Sequence, residues 1–258
     1  MKLPLFQIDA FASRVFQGNP AAVCPLESWL PEATMQSIAA ENNLAETAFF
    51  VGAGGHYEIR WFTPVQEIDL CGHATLASAH VVFETLEPAR TAVRFESKGG
   101  LLRVEREADL LALDFPALPA APIAAPGLAA ALGQPPRDVL GARDLLAVYE
   151  SEDEVRALAP DMAGLAMLDA FGVIASAPGR SSDFVSRFFA PRVGIPEDPA
   201  TGSSHCTLIP YWANRLGKTK LFALQLSRRG GEFHCELRGE RVRIAGRAVR
   251  YLEGTIEF

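Results

Sequence analysis

Apolar and polar positions alternate with a two-residue period over much of the chain. Leu5 to Phe11 sets Phe6, Ile8 and Ala10 against Gln7 and Asp9, the pattern of a half-buried strand. Thr47 to Val51 and Tyr57 to Phe62 are strand-like around the Gly-rich turn Gly52 to Gly55. Val93 to Phe95 and Leu101 to Val104 flank Gly99-Gly100 as a hairpin, and Leu110 to Phe115 reads as a further strand. Asp138 to Tyr149, Phe171 to Ala175 and Asp183 to Phe189 continue the pattern. Phe222 to Leu226 and Phe233 to Leu237 bracket Gly230-Gly231 as a second hairpin. Pro31 to Ala40 predicts a short amphipathic helix, with Pro31 in the first turn where its missing N–H costs nothing. Val155 to Leu158 is a helical turn, and Gly18-Asn19-Pro20 a turn signal.

Two segments break the strand rhythm. Gly72 to Phe83 and Gly202 to Ala213 contain no Asp, Glu, Lys or Arg. Each is long enough for a helix and apolar nearly all round, so each is expected to be buried on all sides. In a strand-rich chain, that predicts a sheet wrapped around a helix.

The two segments start 130 positions apart, and the Gly-Gly hairpins 131 apart. Arg60-Trp61-Phe62-Thr63-Pro64 parallels Arg187-Phe188-Phe189-Ala190-Pro191 at an offset of 127. Three landmarks in one order at nearly one offset predict two similar halves of roughly 120 residues. The Pro/Ala-rich stretch Ala117 to Pro126 marks the boundary. Arg250 to Phe258 alternates like a strand and is expected to return to the first half. The predicted domains are therefore 1–116 plus 246–258, and 117–245.

Composition narrows the class. The 258 residues are 49% hydrophobic and 21% charged, enough for a packed core. A net charge of −7 without a basic run argues against nucleic acid as a partner. The longest uncharged stretch besides the two helical ones, Ala117 to Pro136, carries five prolines and cannot be a membrane helix. Four scattered cysteines, Cys24, Cys71, Cys206 and Cys235, form neither a disulfide framework nor a zinc ribbon. The expectation is a cytoplasmic chain without a membrane or metal partner.

Candidate chemistry gathers at the two helix starts. Gly72-His73 and Gly202-Ser203 would each leave bare N–H groups, and the helix dipole there favours a small carboxylate. The alternative for each glycine is a turn or close packing. Glu46 is the sole charged residue between Asn42 and His56. A carboxyl in apolar surroundings favours its neutral form, which suits a proton shuttle; the alternative is a solvated strand-edge glutamate. His73 would orient a ligand or relay a proton, or else cap its helix. Asp198 would act with them, or simply fix the turn before Pro199. Ser203 would bind an anion, or be a plain first-turn residue. Cys71 precedes Gly72 at a helix start, where thiolates are stabilised. A two-thiol racemase wants a second cysteine 130 positions on, where Thr201 stands.

Four segments carry a resemblance: FQIDAFASRVFQGNPAAV (6–23), NNLAETAFF (42–50), RWFTPVQEIDLCGHATLASA (60–79) and EDPATGSS (197–204). In this order they resemble the phenazine-biosynthesis PhzF-like isomerase family over essentially the whole chain. The resemblance implies an α+β, diaminopimelate-epimerase-like fold. Two pseudo-symmetric domains each form a β-barrel around a central buried helix, with the active site in the cleft between domains. It implies an isomerase that needs no cofactor and no metal, and a homodimer as the expected assembly. It carries the family's acid/base glutamate onto Glu46, its glycine-histidine pair onto Gly72 and His73, its aspartate onto Asp198 and its glycine-serine pair onto Gly202 and Ser203. Ala45 and Cys71 depart from the family's pattern, and so does the segment Leu226 to Gly231. The expected function is proton movement on a small carboxylate-bearing substrate, with Glu46, His73 and Asp198 catalytic and Gly72, Gly202 and Ser203 binding. The alternatives are a cysteine-assisted epimerase using Cys71, and a carboxylate-binding protein without turnover.

Overall fold

The computed structural model describes residues 1–258. The chain forms two compact units, Met1–Asp114 with Ala245–Phe258, and Phe115–Ile244.

The first unit is a curled sheet. Its strands are β1 (Lys2–Ala10), β2 (Asn19–Leu26), β3 (Glu46–Ala53), β4 (His56–Phe62), the short β5 (Glu67–Ile68), β6 (Ala92–Ser97), β7 (Gly100–Glu107) and β8 (Leu110–Pro116). The C-terminal strand Ala248–Glu257 runs antiparallel to β1, with Lys2 opposite Glu257 and Ala10 opposite Ala248. From there the order is β1, β2, β3, β4, β6, β7, β8, with β2–β3 and β4–β6 parallel and the other pairs antiparallel. Helix α1 (Glu32–Asn42) makes the first parallel crossover and α2 (Gly72–Val81) the second. Pro31 is the N-cap of α1, one position outside its first turn.

Helix α2 is buried at every position except Gly72 and His80. Its hydroxyl side chains are satisfied inside the helix: Thr75 Oγ1 donates to the Cys71 carbonyl at 2.5 Å and Ser78 Oγ to the Ala74 carbonyl at 2.8 Å. Such back-bonding lets small polar residues line a buried helix without orphaned groups.

The second unit repeats the pairing order. Its strands are β9 (Ala121–Pro122), β10 (Asp138–Gly141), β11 (Leu145–Val148), β12 (Val173–Pro178), β13 (Phe184–Phe189), β14 (Lys220–Gln225), β15 (Gly231–Arg238) and β16 (Arg241–Gly246). From β10 to β15 the pairs are antiparallel, parallel, antiparallel, parallel, antiparallel. From β1 to β7 the first unit shows the same alternation, so the sequence repeat is a repeat of topology. Short helices α3 (Leu128–Leu132), α4 (Glu152–Ala157) and α5 (Met162–Ala166) precede α6 (His205–Leu216), which lies between β13 and β14 as α2 lies between β4 and β6. The ion pair Arg60–Glu67 of the first unit recurs as Arg187–Glu197 in the second, each bidentate.

Three expectations need correction. Asp138 to Tyr149 is not one strand: Ala142, Arg143 and Asp144 turn the chain between β10 and β11. The second helix begins at His205, three residues past Gly202. Residues Gly202 to Ser204 form a tighter turn first, with His205, Cys206 and Thr207 N–H groups bonding three residues back at 3.1 Å each. That helix is also not buried all round. It runs past Ala213 through exposed Asn214, Arg215 and Leu216 to Gly217, which ends it at φ 65°. Pro210 inside it cannot donate, and the freed Cys206 carbonyl accepts Leu118 N–H at 2.9 Å. The buried Trp212 donates Nε1–H to Ser176 at 2.9 Å and anchors the helix to β12. No helix is long and apolar enough to cross a membrane.

Candidate active site

The sequence-predicted residues fall into two groups, one in each unit. In the first unit, β3 begins at Glu46, whose side chain is buried. Helix α2 begins at Gly72, which places His73 in its first turn. His73 Nε2 lies 2.9 Å from Glu46 Oε2, an ion-pair approach without hydrogen-bond alignment, and neither atom has a hydrogen-bond partner. The far side of the ring is also engaged. Nδ1 meets Asn19 Nδ2 at 3.2 Å and Cys71 Sγ at 3.5 Å. In the neutral ring Nδ1 accepts from Asn19 and the proton sits on Nε2; the imidazolium is protonated on both nitrogens and needs Asn19 to present its amide oxygen instead.

Burial alone would push the His73 imidazolium down. The neighbouring Cys71 and Glu46 outweigh it and hold His73 well above the usual histidine range. Cys71 goes the other way from the expected thiolate: burial first, and then Glu46, push its thiol up. The helix start does not overcome full desolvation beside a carboxylate. All four cysteines are free thiols.

Asn19 was legible only as part of a turn signal, yet it is the partner that fixes the His73 ring. The chain delivers it through Gly18, whose φ of 63° and close approach to Ala10 (an added Cβ would lie 2.1 Å from its carbonyl oxygen) admit no side chain. Buried Asp9 steadies the same loop by accepting Phe16 N–H at 2.8 Å. The ligand atoms of Glu46, Cys71 and His73 lie within 4.8 Å of one another, so these three are the residues that could hold a metal ion.

In the second unit, Asp198 is buried, and Thr201 Oγ1 donates to its Oδ2. Gln225 braces this loop: its Oε1 accepts Thr201 N–H at 2.8 Å, and its Nε2 donates to the Asp198 carbonyl at 2.7 Å. His205 and Ser204 both donate to the Thr201 carbonyl, at 2.8 and 2.9 Å. Asp198 thus sits in a rigid loop that leads to Gly202 and Ser203. Ser203 Oγ accepts from Arg143 Nη2 at 3.0 Å, a contact not visible from sequence spacing.

Comparison with known proteins agrees with this architecture. A solved hydroxyproline epimerase of Agrobacterium vitis shares the fold at a TM-score of 0.61 and 12% identity, covering 99% of this chain and 92% of that one. The two repeated units are thus of the diaminopimelate-epimerase-like class, each a barrel around a central helix. The family model described as "Phenazine biosynthesis-like protein" matches residues 8–254, and the chain belongs to that family. It is 53% identical over 259 residues to an uncharacterized isomerase of Pseudomonas aeruginosa, covering all of both chains. A solved phenazine biosynthesis protein of the PhzF family from Enterococcus faecalis matches at a TM-score of 0.96 and 48% identity over the full length of both.

Proposed function

We propose that the chain is an isomerase that moves a proton on carbon in a small carboxylate-bearing substrate, with Glu46 as acid and base. The observation that carries this reading is the buried contact of 2.9 Å between Glu46 and His73. A carboxylate held out of water against a single imidazole can take a proton from carbon and return it elsewhere, while the imidazole balances its charge. His73 orients Glu46 and relays the proton. Gly72, Gly202 and Ser203 offer donors to carboxylate oxygens, so that charge developing on the substrate meets fixed dipoles. Asp198 completes the set in the second unit. Proton transfer at carbon needs a base and fixed donors rather than a hydride or electron acceptor, so the reading calls for no cofactor. The relatives' name of isomerase supports the class of reaction.

The test is solvent deuterium exchange. The protein is incubated in deuterated water with a panel of unsaturated and α-amino carboxylic acids, and label at carbon is read by mass spectrometry. General acid–base catalysis contributes about 10²–10⁴-fold, so Glu46→Gln should slow exchange by at least that factor. Exchange as fast as in the parent would move the base to Asp198 or Cys71. Binding of an acid without exchange in any form would make the chain a carboxylate binder.

A further inference from the structure

The two units carry different chemistry at equivalent places. Thr47 pairs with Phe62 in the first unit, and Val173 with Phe189 in the second. These matched registers place Gly172 where the first unit has Glu46. In the parallel neighbour strands, Ala21 lies opposite Glu46, while Leu145 lies opposite Val173, so Asp144 answers to Ala21 and Arg143 to Pro20. Gly72 and Gly202 correspond, so Ser203 answers to His73. The second copy has lost the base and its imidazole. In their place it has gained a carboxylate, a guanidinium and a hydroxyl.

Those three groups form one device. The Asp144 side chain is 1% exposed, and its Oδ2 accepts Arg143 Nη2 at 2.8 Å and Nε at 3.2 Å. The Arg143 guanidinium lies over the Phe171 ring, 4.7 Å from its centroid. Its position is therefore fixed along one edge and one face, yet its side chain remains 36% exposed. Nη2 spends one hydrogen on Asp144 and the other on Ser203 Oγ. Nη1 makes no hydrogen bond within the protein. An arginine can only donate, so the Ser203 oxygen is the acceptor in that contact and its own hydrogen is left to donate outward. The outward-facing polar groups are then Nη1–H and Ser203 O–H, both donors, next to a fixed positive charge. An acceptor-only oxygen pair suits this set, and a carboxamide, with its NH₂ group, does not.

We propose that Arg143, fixed by Asp144 and acting with Ser203, selects a carboxylate on the ligand over its neutral amide. This rests on the reading of Ser203 as a ligand-holding residue and deepens it by naming a specificity-determining side chain. Asp144 is a positioning residue.

The test is titration calorimetry of the intact protein with benzoate and with benzamide, alongside thermal melts of each variant. The parent should bind benzoate at least about tenfold more tightly than benzamide. Arg143→Lys keeps the charge beside buried Asp144 and so should fold, but it loses the planar fork; benzoate affinity should fall about tenfold with benzamide unchanged. The double variant Arg143→Gln, Asp144→Asn removes both charges without orphaning either, and should abolish the preference. An unchanged preference in both variants, equal binding of the two probes by the parent, or binding of neither would overturn the proposal. Glu46→Gln separates it from the acid/base reading. If Glu46→Gln exchanges deuterium normally while the Arg143 variants lose benzoate, the base assignment fails and the carboxylate selector stands.

Discussion

His73 and Ser203 follow the corresponding glycines Gly72 and Gly202, yet one contacts a carboxylate and the other a guanidinium. A duplicated fold has thus specialised. At these equivalent places the first unit holds a carboxylate and an imidazole that can exchange a proton, and the second a guanidinium and a hydroxyl that donate. That division assigns distinct consequences to substitutions that look alike on paper.

Replacing His73 with Asn should lower carbon exchange by about ten- to thousandfold, since an amide neither balances nor relays the Glu46 proton. The pH profile should change with it. His73 is held above the usual histidine range, so its favourable contribution is complete at pH below about 6.5 and fades as pH rises through the raised value. The parent should show an alkaline limb in the exchange rate that His73→Asn lacks. An alkaline limb of the same position in both proteins would remove His73 from the proton path.

Cys71 should be dispensable for chemistry. Its thiol is pushed up by burial, so it is a poor source of thiolate near neutral pH. Cys71→Ser should exchange deuterium within about tenfold of the parent, and a chelator should leave the rate unchanged. Loss of exchange in Cys71→Ser, with an unaltered melt, would revive thiol chemistry. Loss with chelator alone would point to a metal on Glu46, Cys71 and His73.

Acid stability should show two separate windows. His205 is fully enclosed, stacked on Phe233 with ring centroids 3.8 Å apart. Burial pulls its pKa down to about 4. The unfolded chain therefore binds the proton first, and stability falls as pH drops from about 6.5 to about 4, by on the order of 3 kcal/mol. Glu67 is held down to about 2 by Arg60 first and Lys98 after it, so its contribution is present above about 4.5 and fades as pH falls towards 2. Urea midpoints measured from pH 7 to 2 should lose the upper slope in His205→Phe and the lower slope in Glu67→Gln. Parallel curves for parent and variants would contradict both assignments.

Much of this was legible in the sequence because it depends on local pattern. The uncharged run after Gly72 announced a buried helix, and its echo at Gly202 announced the duplication. Glu46 stood out by isolation, and the apolar run behind it announced a strand from Thr47, one residue short of the start at Glu46. What stayed hidden depends on contacts between distant segments. Asn19 reaches His73 across 54 positions and Arg143 reaches Ser203 across 60, and neither spacing has a period to detect. The tail of α6 was missed because the apolar, charge-free window was closed at Ala213, ahead of Asn214 and Arg215, whereas the helix is ended by Gly217. The burial that pushes the Cys71 thiol up was not legible either, because position at a helix start says nothing about desolvation.

The loss of the base from the second unit can be tested at Gly172. A Cβ there would lie 2.3 Å from Cζ and 2.8 Å from Cε2 of Phe188, and 3.2 Å from Asp144 Oδ1. Phe188 is buried, so its ring must shift among packed neighbours to make room. The aromatic ring fills the volume next to the position that Glu46 holds in the first copy. Overpacking of this kind typically costs about 1–3 kcal/mol, so Gly172→Ala should lower the unfolding free energy read from urea melts by that amount. Gly172→Ala with Phe188→Leu should recover part of the loss, because the shorter side chain vacates the ring end. A Gly172→Ala protein as stable as the parent would show that the second unit tolerates a side chain here. The absence of a second base would then owe nothing to packing at Phe188.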